Sequence, residues 1–326
     1  MTPARRLAVL ILAVTVLGGT AAGYTAWAGM RAPARAGKDT PARAGKDAGA
    51  VRPGRLVFRT EAGRIAGVPL TDTSAEPTVS GLTCNRFSTA AGTSICLAAR
   101  PGPVAMTDAV IYDRSMRETR RIDLAGIPNR ARVSGSGRMA SWTVFVTGDS
   151  YNAGGFSTWT GILDTRTGYL VTNMEDIPLT LGGRRHHAVD VNYWGVTFAP
   201  DDNRFYATVS TKGKTYLVEG DYGAWRARTI RENAECPSLS PDGTRLVFKK
   251  RVSGDADRPW RLHLLDLATM RETPLAETES VDDQAVWLDE RTVAYAREGN
   301  VWSVPADGSG TPVLLVRGAS SPVAVR

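Results

Sequence analysis

The chain is expected to be all-β: a six-bladed β-propeller closed by pairing its N- and C-terminal strands. An N-terminal apolar helix and a disordered linker are expected to precede it. Three observations predict this. A strand–turn–strand unit at Glu235–Arg251 recurs along the chain. A second kind of hairpin occurs six times, with turns near Asp72, Asp113, Asp164, Asp221, Asp266 and Asp307. Those turns lie 41 to 57 residues apart, near the spacing of four-stranded propeller blades.

The unit at Glu235–Arg251 shows why the pattern folds. Pro237–Leu239 is a short apolar strand, and Leu246-Val247-Phe248 is a second. Between them, Pro241 pre-sets φ, Asp242 bonds its own backbone, and Gly243 accepts φ > 0. One such hairpin cannot bury both faces, so copies must stack on it.

Taken in order, Arg5-Arg6 precede an apolar run from Leu7 to Gly29. That is the order of an export signal, and the run is also long enough to cross a bilayer. Ala26-Trp27-Ala28 offers a small-x-small cleavage site, so residues 1–29 read as a signal peptide or a signal anchor. Residues 30–54 contain PARAGKD twice and cannot fill a core; they read as a tether. The domain is therefore expected outside the cytoplasmic membrane, anchored by this segment or secreted after cleavage.

Residues 55–326 carry the blades. The outer hairpins are Ile65–Val79, Ala109–Leu124, Trp159–Thr172, Thr215–Ile230, Arg261–Leu275 and Val301–Leu315. The inner hairpins are Cys84–Leu97, Val133–Trp142, Phe198–Ala207, the unit at Glu235–Arg251, and Val286–Tyr295. A sixth inner hairpin is missing, and the spacing puts it at the two ends of the chain. Ser320–Arg326 should be its innermost strand and Arg55–Thr60 the next, which removes an open sheet edge.

The +7 net charge sits in the tail. Residues 1–54 hold eight Lys/Arg and two Asp, leaving about +1 for the rest. A near-neutral domain excludes nucleic-acid binding through a basic field. Cys84 and Cys96 should face each other on the first two strands of blade one, and outside the cytoplasm they should form a disulfide. Cys236, placed at the Cys84-equivalent position of blade four, should be a buried free thiol.

The motif Ser240-Pro241-Asp242-Gly243 with Leu246-Val247-Phe248 resembles the blade motif of TolB-like propellers with WD40-like PD40 repeats, of the exported or membrane-anchored type. The resemblance covers residues 55–326. It implies a non-enzymatic interaction scaffold that contacts an envelope or extracellular protein, with no cofactor and no metal. A monomer is the expected state.

Candidate partner-binding residues gather near the loop-rich mouth. Arg184-Arg185-His186-His187 reads as a loop leading into blade three, suited to a solvated surface or an acidic partner. Tyr193 and Trp194 open the inner strand of that blade, where they either pack in the core or grip a ligand such as cell-wall glycan. Lys249 and Arg251 end a strand on the same face, with Lys212 and Lys214 nearby, as a basic rim or a solvated strand end. The insertions Thr147–Thr158 and Val252–Pro259 should be long loops there. His263 reads as structural. No catalytic motif is present: there is no G-x-S-x-G elbow, and the acidic pairs lack calcium-loop spacing. A channel-centred glycoside hydrolase or lyase remains the alternative. Clustered channel carboxylates of raised pKa would favour it, and a dry or neutral channel would favour the scaffold.

Overall fold

A computed structural model describes residues 48–146 and 157–326 of the chain. The expected N-terminal helix, the tether as far as residue 47 and most of the Thr147–Thr158 insertion lie outside the described residues.

Six sheets form six blades. Blade one is Arg86–Ala90, Thr93–Arg100, Met106–Tyr112 and Glu118–Ala125. Blade two is Ile127–Val133, Met139–Val146, Ser157–Asp164 and Leu170–Val171. Blade three begins with Asn192–Phe198, Arg204–Thr211, Lys214–Asp221 and Arg226–Glu232. Blade four is Glu235–Leu239, Arg245–Arg251, Trp260–Asp266 and Glu272–Pro274. Blade five is Val286–Trp287, Thr292–Arg297, Asn300–Pro305 and Val313–Val316.

Blade six closes the ring as the spacing predicts. Ala319–Val325 pairs antiparallel with Arg55–Thr60, with Val57 opposite Val323 and Arg55 opposite Val325. Arg64–Pro69 and Thr78–Thr83 complete it. The end of the expected tether already lies on this blade: Ala50 is 1% exposed, and Ala48 and Val51 pack beside it.

Successive side chains of a strand point to opposite faces, and a blade has a neighbour on each face. That is why three consecutive residues can all be apolar. Leu246 and Phe248 pack toward Tyr206 and Leu217 of blade three, while Val247 packs with Tyr295 and Trp287 of blade five. Leu56 and Phe58 likewise meet Val286 and Val301 of blade five, and Val57 meets Phe87 of blade one. Burying a side chain of this size stabilises by about 1.5–3 kcal/mol, so the blade interfaces supply much of the stability.

The founding turn behaves as its residues dictate. Gly243 has φ +72° and donates to the Ser240 carbonyl at 2.9 Å. The Asp242 carboxylate accepts from the Thr244 backbone at 3.0 Å. Arg245 bonds Asp242 at 3.1 Å and the Glu290 carbonyl of blade five at 2.9 Å, tying the turn to its neighbour. Cys84 and Cys96 are bonded, with Cα atoms 5.5 Å apart. Cys236 is free and buried.

Two readings need correction. Arg184–His186 is a strand, not part of a loop. It pairs with Leu179–Leu181, which runs parallel to the outermost strand of blade three and widens that sheet to six strands. Leu179 is buried in the core between blades two and three, which gives the added hairpin its anchor. Cys236 is also not the counterpart of Cys84. Ser238 pairs with Val247 as Ser88 pairs with Ile95, and Glu235 pairs with Lys249 as Arg86 pairs with Leu97, so Cys236 sits in the bulge between Glu235 and Ser238.

Candidate site in the propeller channel

Each inner strand starts on one face of the ring, here the loop face, and ends at a turn on the other, the turn face. Counted back from the last backbone pair before each inner turn, Arg86, Arg130, Gly195, Cys236 and Gln284 hold the same position, and Asp283 is next to it. Four inner strands slip register near that level, at Val57/Arg59 opposite the terminal strand, Pro128/Arg130, Trp194/Thr197 and Glu235/Ser238. Such bulges bend a strand and re-aim its side chains. Gly195, Cys236 and Ser321 take positive φ there, at +65°, +49° and +50°.

Side chains cross-link this level. Gln284 Nε2 donates to the carbonyls of Pro237 at 2.8 Å and Gly195 at 3.2 Å, joining blade five to blades four and three. Arg132 Nη2 donates to the Ala285 carbonyl at 3.1 Å, joining blade two to blade five. Arg86 Nε donates to the Asn129 carbonyl at 2.5 Å, and its Nη1 to Ser321 Oγ at 3.2 Å. Arg130 Nη1 donates to the same Asn129 carbonyl at 3.0 Å. A cavity of about 30 Å³ lies among Arg86, Arg130, Arg132, Asp283 and Ser321. Toward the turn face it gives way to a funnel of about 520 Å³, lined by Phe198, Leu239, Trp287, Pro200, Gly135 and Arg326 among others. Arg132 lines both.

The electrostatics are those of buried cations. Burial pulls the Arg132 guanidinium down to about 10, against the opposing pull of Asp283 and Cys236. Burial, reinforced by Arg130, also lowers Arg86. Burial acts the same way on Arg130, but Cys236, Asp283 and Asp282 outweigh it and raise it. On the loop face, Lys249 Nζ bonds Asp282 and lies 3.9 Å from Glu235. Burial alone would raise Asp282, yet Lys249 holds it below the usual range. Glu235 is raised by burial, with Lys249 opposing. Asp283 accepts from the Ala296 backbone at 2.9 Å. Glu235 is thus raised and Asp282 lowered, both beside the one Lys249 ammonium. The cavity is lined by three arginines and Asp283, with Asp282, Glu235 and Lys249 close by on the loop-face side. Among the described residues no group of three or more His, Cys, Asp and Glu could hold a metal ion.

The residues singled out from sequence do not form one patch. Arg184, Arg185 and His187 are exposed on or beside the added hairpin. His186 Nε2 lies 2.9 Å from Thr211 Oγ1, which donates to Asp190 at 2.8 Å, so His186 ties that hairpin to the end of the second strand of blade three. Tyr193 is 1% exposed and packs in the core between blades two and three; Trp194 is buried beside it in sequence. Lys249 and Arg251 do come together, their cations 4.2 and 4.4 Å from the centre of the Trp260 ring. Arg251 is exposed, but Lys249 is 5% exposed, so the expected solvated strand end is a buried ion pair on this side chain. The channel arginines and Gln284 were not foreseen. The signal was available, because the same offset before each turn selects Arg86 and Arg130.

No sequence model of a known family matches the chain, and no curated protein is recognisably similar in sequence. Solved structures are similar. TolB from Acinetobacter baumannii shares 16% identity over 84% of this chain and 67% of its own, with a TM-score of 0.59. A chain of the nidogen/laminin complex shares 12% identity over 82% of this chain and 97% of its own, with a TM-score of 0.54. At these identities the likeness establishes the propeller fold.

Proposed function

We propose that this chain is a non-catalytic extracytoplasmic scaffold of TolB-like type, which receives a segment of an envelope or extracellular protein in the funnel on its turn face. The funnel carries the reading. It is the concave surface where apolar side chains, Phe198, Leu239 and Trp287, meet a few convergent polar groups, Arg132 and Arg326. The loop-rich face, where a partner was expected, instead holds its basic side chain Lys249 in a buried pair. The Cys84–Cys96 bond fits an oxidising compartment, and the N-terminal apolar run supplies export and membrane attachment.

Two glycines make the test clean. Gly135 lines the funnel and Gly254 lies in the loop between Arg251 and Trp260 on the opposite face; a Cβ added at either meets no atom within 4 Å. A photo-crosslinking residue placed at Gly135 in the full chain, in its own cells, should trap a partner protein that the same residue at Gly254 does not. Crosslinks from Gly254 alone would move the binding surface to the loop face.

A further inference from the structure

We propose that the channel binds a carboxylate, held among the guanidinium groups of Arg86, Arg130 and Arg132. All three line one cavity of about 30 Å³. A water needs about 10–15 Å³, so the space suits a carboxylate head and is small for a phosphate. The arginines are not saturated. The Nε atoms of Arg130 and Arg132 are buried without a hydrogen-bond acceptor, and the Arg130 side chain is about nine-tenths buried. The acceptors that Arg86, Arg130 and Arg132 do have are the carbonyls of Asn129 and Ala285, the hydroxyls of Ser321 and Ser238, and the Cys236 sulfur. Buried donors of fixed fork geometry match a carboxylate in two-pronged fashion.

The charge balance agrees. Around the cavity stand Arg86, Arg130, Arg132 and Lys249 against Asp282, Asp283 and Glu235, one cation in excess. Lys249 already serves Asp282 and Glu235, and the closest Asp282 oxygen is 3.7 Å from Arg130. Asp283 gives one oxygen to the Ala296 backbone. Arg59, near enough to Arg86 to repel it, adds to the excess. The Cys236 sulfur accepts a hydrogen bond from Arg130. A bound anion would relieve the burial of three like charges.

Entry is from the turn face, since Arg132 lines both the cavity and the funnel. The carboxylate then belongs either to a free small acid or to an acidic side chain or C-terminus of a segment in the funnel; the second source rests on the function proposed above.

The test is titration of the full chain with carbon-13 formate, followed by NMR at constant ionic strength. Saturable binding competed by acetate is expected, weakened about tenfold or more in Arg132→Gln, the loss of one charge-assisted contact. Absence of saturation in the wild-type protein overturns the proposal, and so does binding that a folded Arg132→Gln or Arg86→Gln leaves unchanged. The wild-type titration decides the matter even if both variants fail to fold. Once a partner is trapped, its competition with formate marks the segment as the source, and simultaneous binding marks a free acid. Partner trapping at Gly135 without formate binding would leave the scaffold reading standing and remove this one.

Discussion

Replacing Cys84 and Cys96 with alanine should weaken the ring at its seam. The bond joins the residue that follows the outermost strand of blade six to the second strand of blade one. Both cysteines lie in the core that also holds Val57, Val323 and Val325 of the closing strands. The bond closes a 13-residue segment, counting from Cys84 to Cys96 at a sequence separation of 12. In the chain-entropy description such a loop removes about 10 cal/mol/K from the unfolded chain, or about 3 kcal/mol at 25 °C. Against a total of about 5–15 kcal/mol, that is a large fraction. A domain of this size loses about 2–4 °C of Tm per kcal/mol, so the double variant should melt about 6–12 °C lower than the oxidised protein. Calorimetry of both, with a reduced wild-type sample as the third arm, measures this. Equal melting of all three would refute the claim that the bond constrains this seam.

Further outcomes follow from buried ionisable groups. Glu277 is 1% exposed and accepts from Tyr295 and from Arg297, each at 2.6 Å. Arg297→Met should cost about 3–5 kcal/mol by leaving that carboxylate without its cation. Adding Glu277→Gln should recover part of the loss in urea unfolding. Burial, helped by Lys250, pulls His263 down to about 4. Its ring therefore stays neutral when folded, while the unfolded chain takes up a proton below about pH 6.5. Stability should then fall as pH drops from about 6.5 to 4, by at most about 3 kcal/mol, and His263→Asn should flatten that slope.

The blade plan was legible because it depends on residues acting locally. Turn chemistry such as Pro241-Asp242-Gly243 and three-residue apolar strands such as Leu246–Phe248 repeat at a spacing that leaves only the two termini to complete the ring. The bond between Cys84 and Cys96 was legible too, though Cys84 precedes the first strand of blade one, Arg86–Ala90, rather than lying on it, and Cys96 stands opposite Phe87 in the ladder. What escaped depends on contacts distant in sequence. Lys249 reads as solvated beside Lys250 and Arg251, yet Asp282 and Glu235 receive its ammonium while its stem lies on Trp260. The channel lining escaped because a bulge changes which face a residue presents; Cys236 sits in such a bulge, between Glu235 and Ser238. The added hairpin of blade three was legible in part, since Gly182-Gly183 between LTL and RRH is a two-residue hairpin signal. Both glycines take positive φ, +56° and +80°. It lies outside the repeat of about 40 residues, in the connection that leads into blade three.

The turn-face funnel is tested most directly by the affinity of the full chain for its trapped partner, measured for Gly135→Arg and Gly254→Arg side by side. Gly135→Arg should abolish binding while the protein melts as wild type, and Gly254→Arg should bind normally. Normal binding by Gly135→Arg with loss in Gly254→Arg would contradict the account.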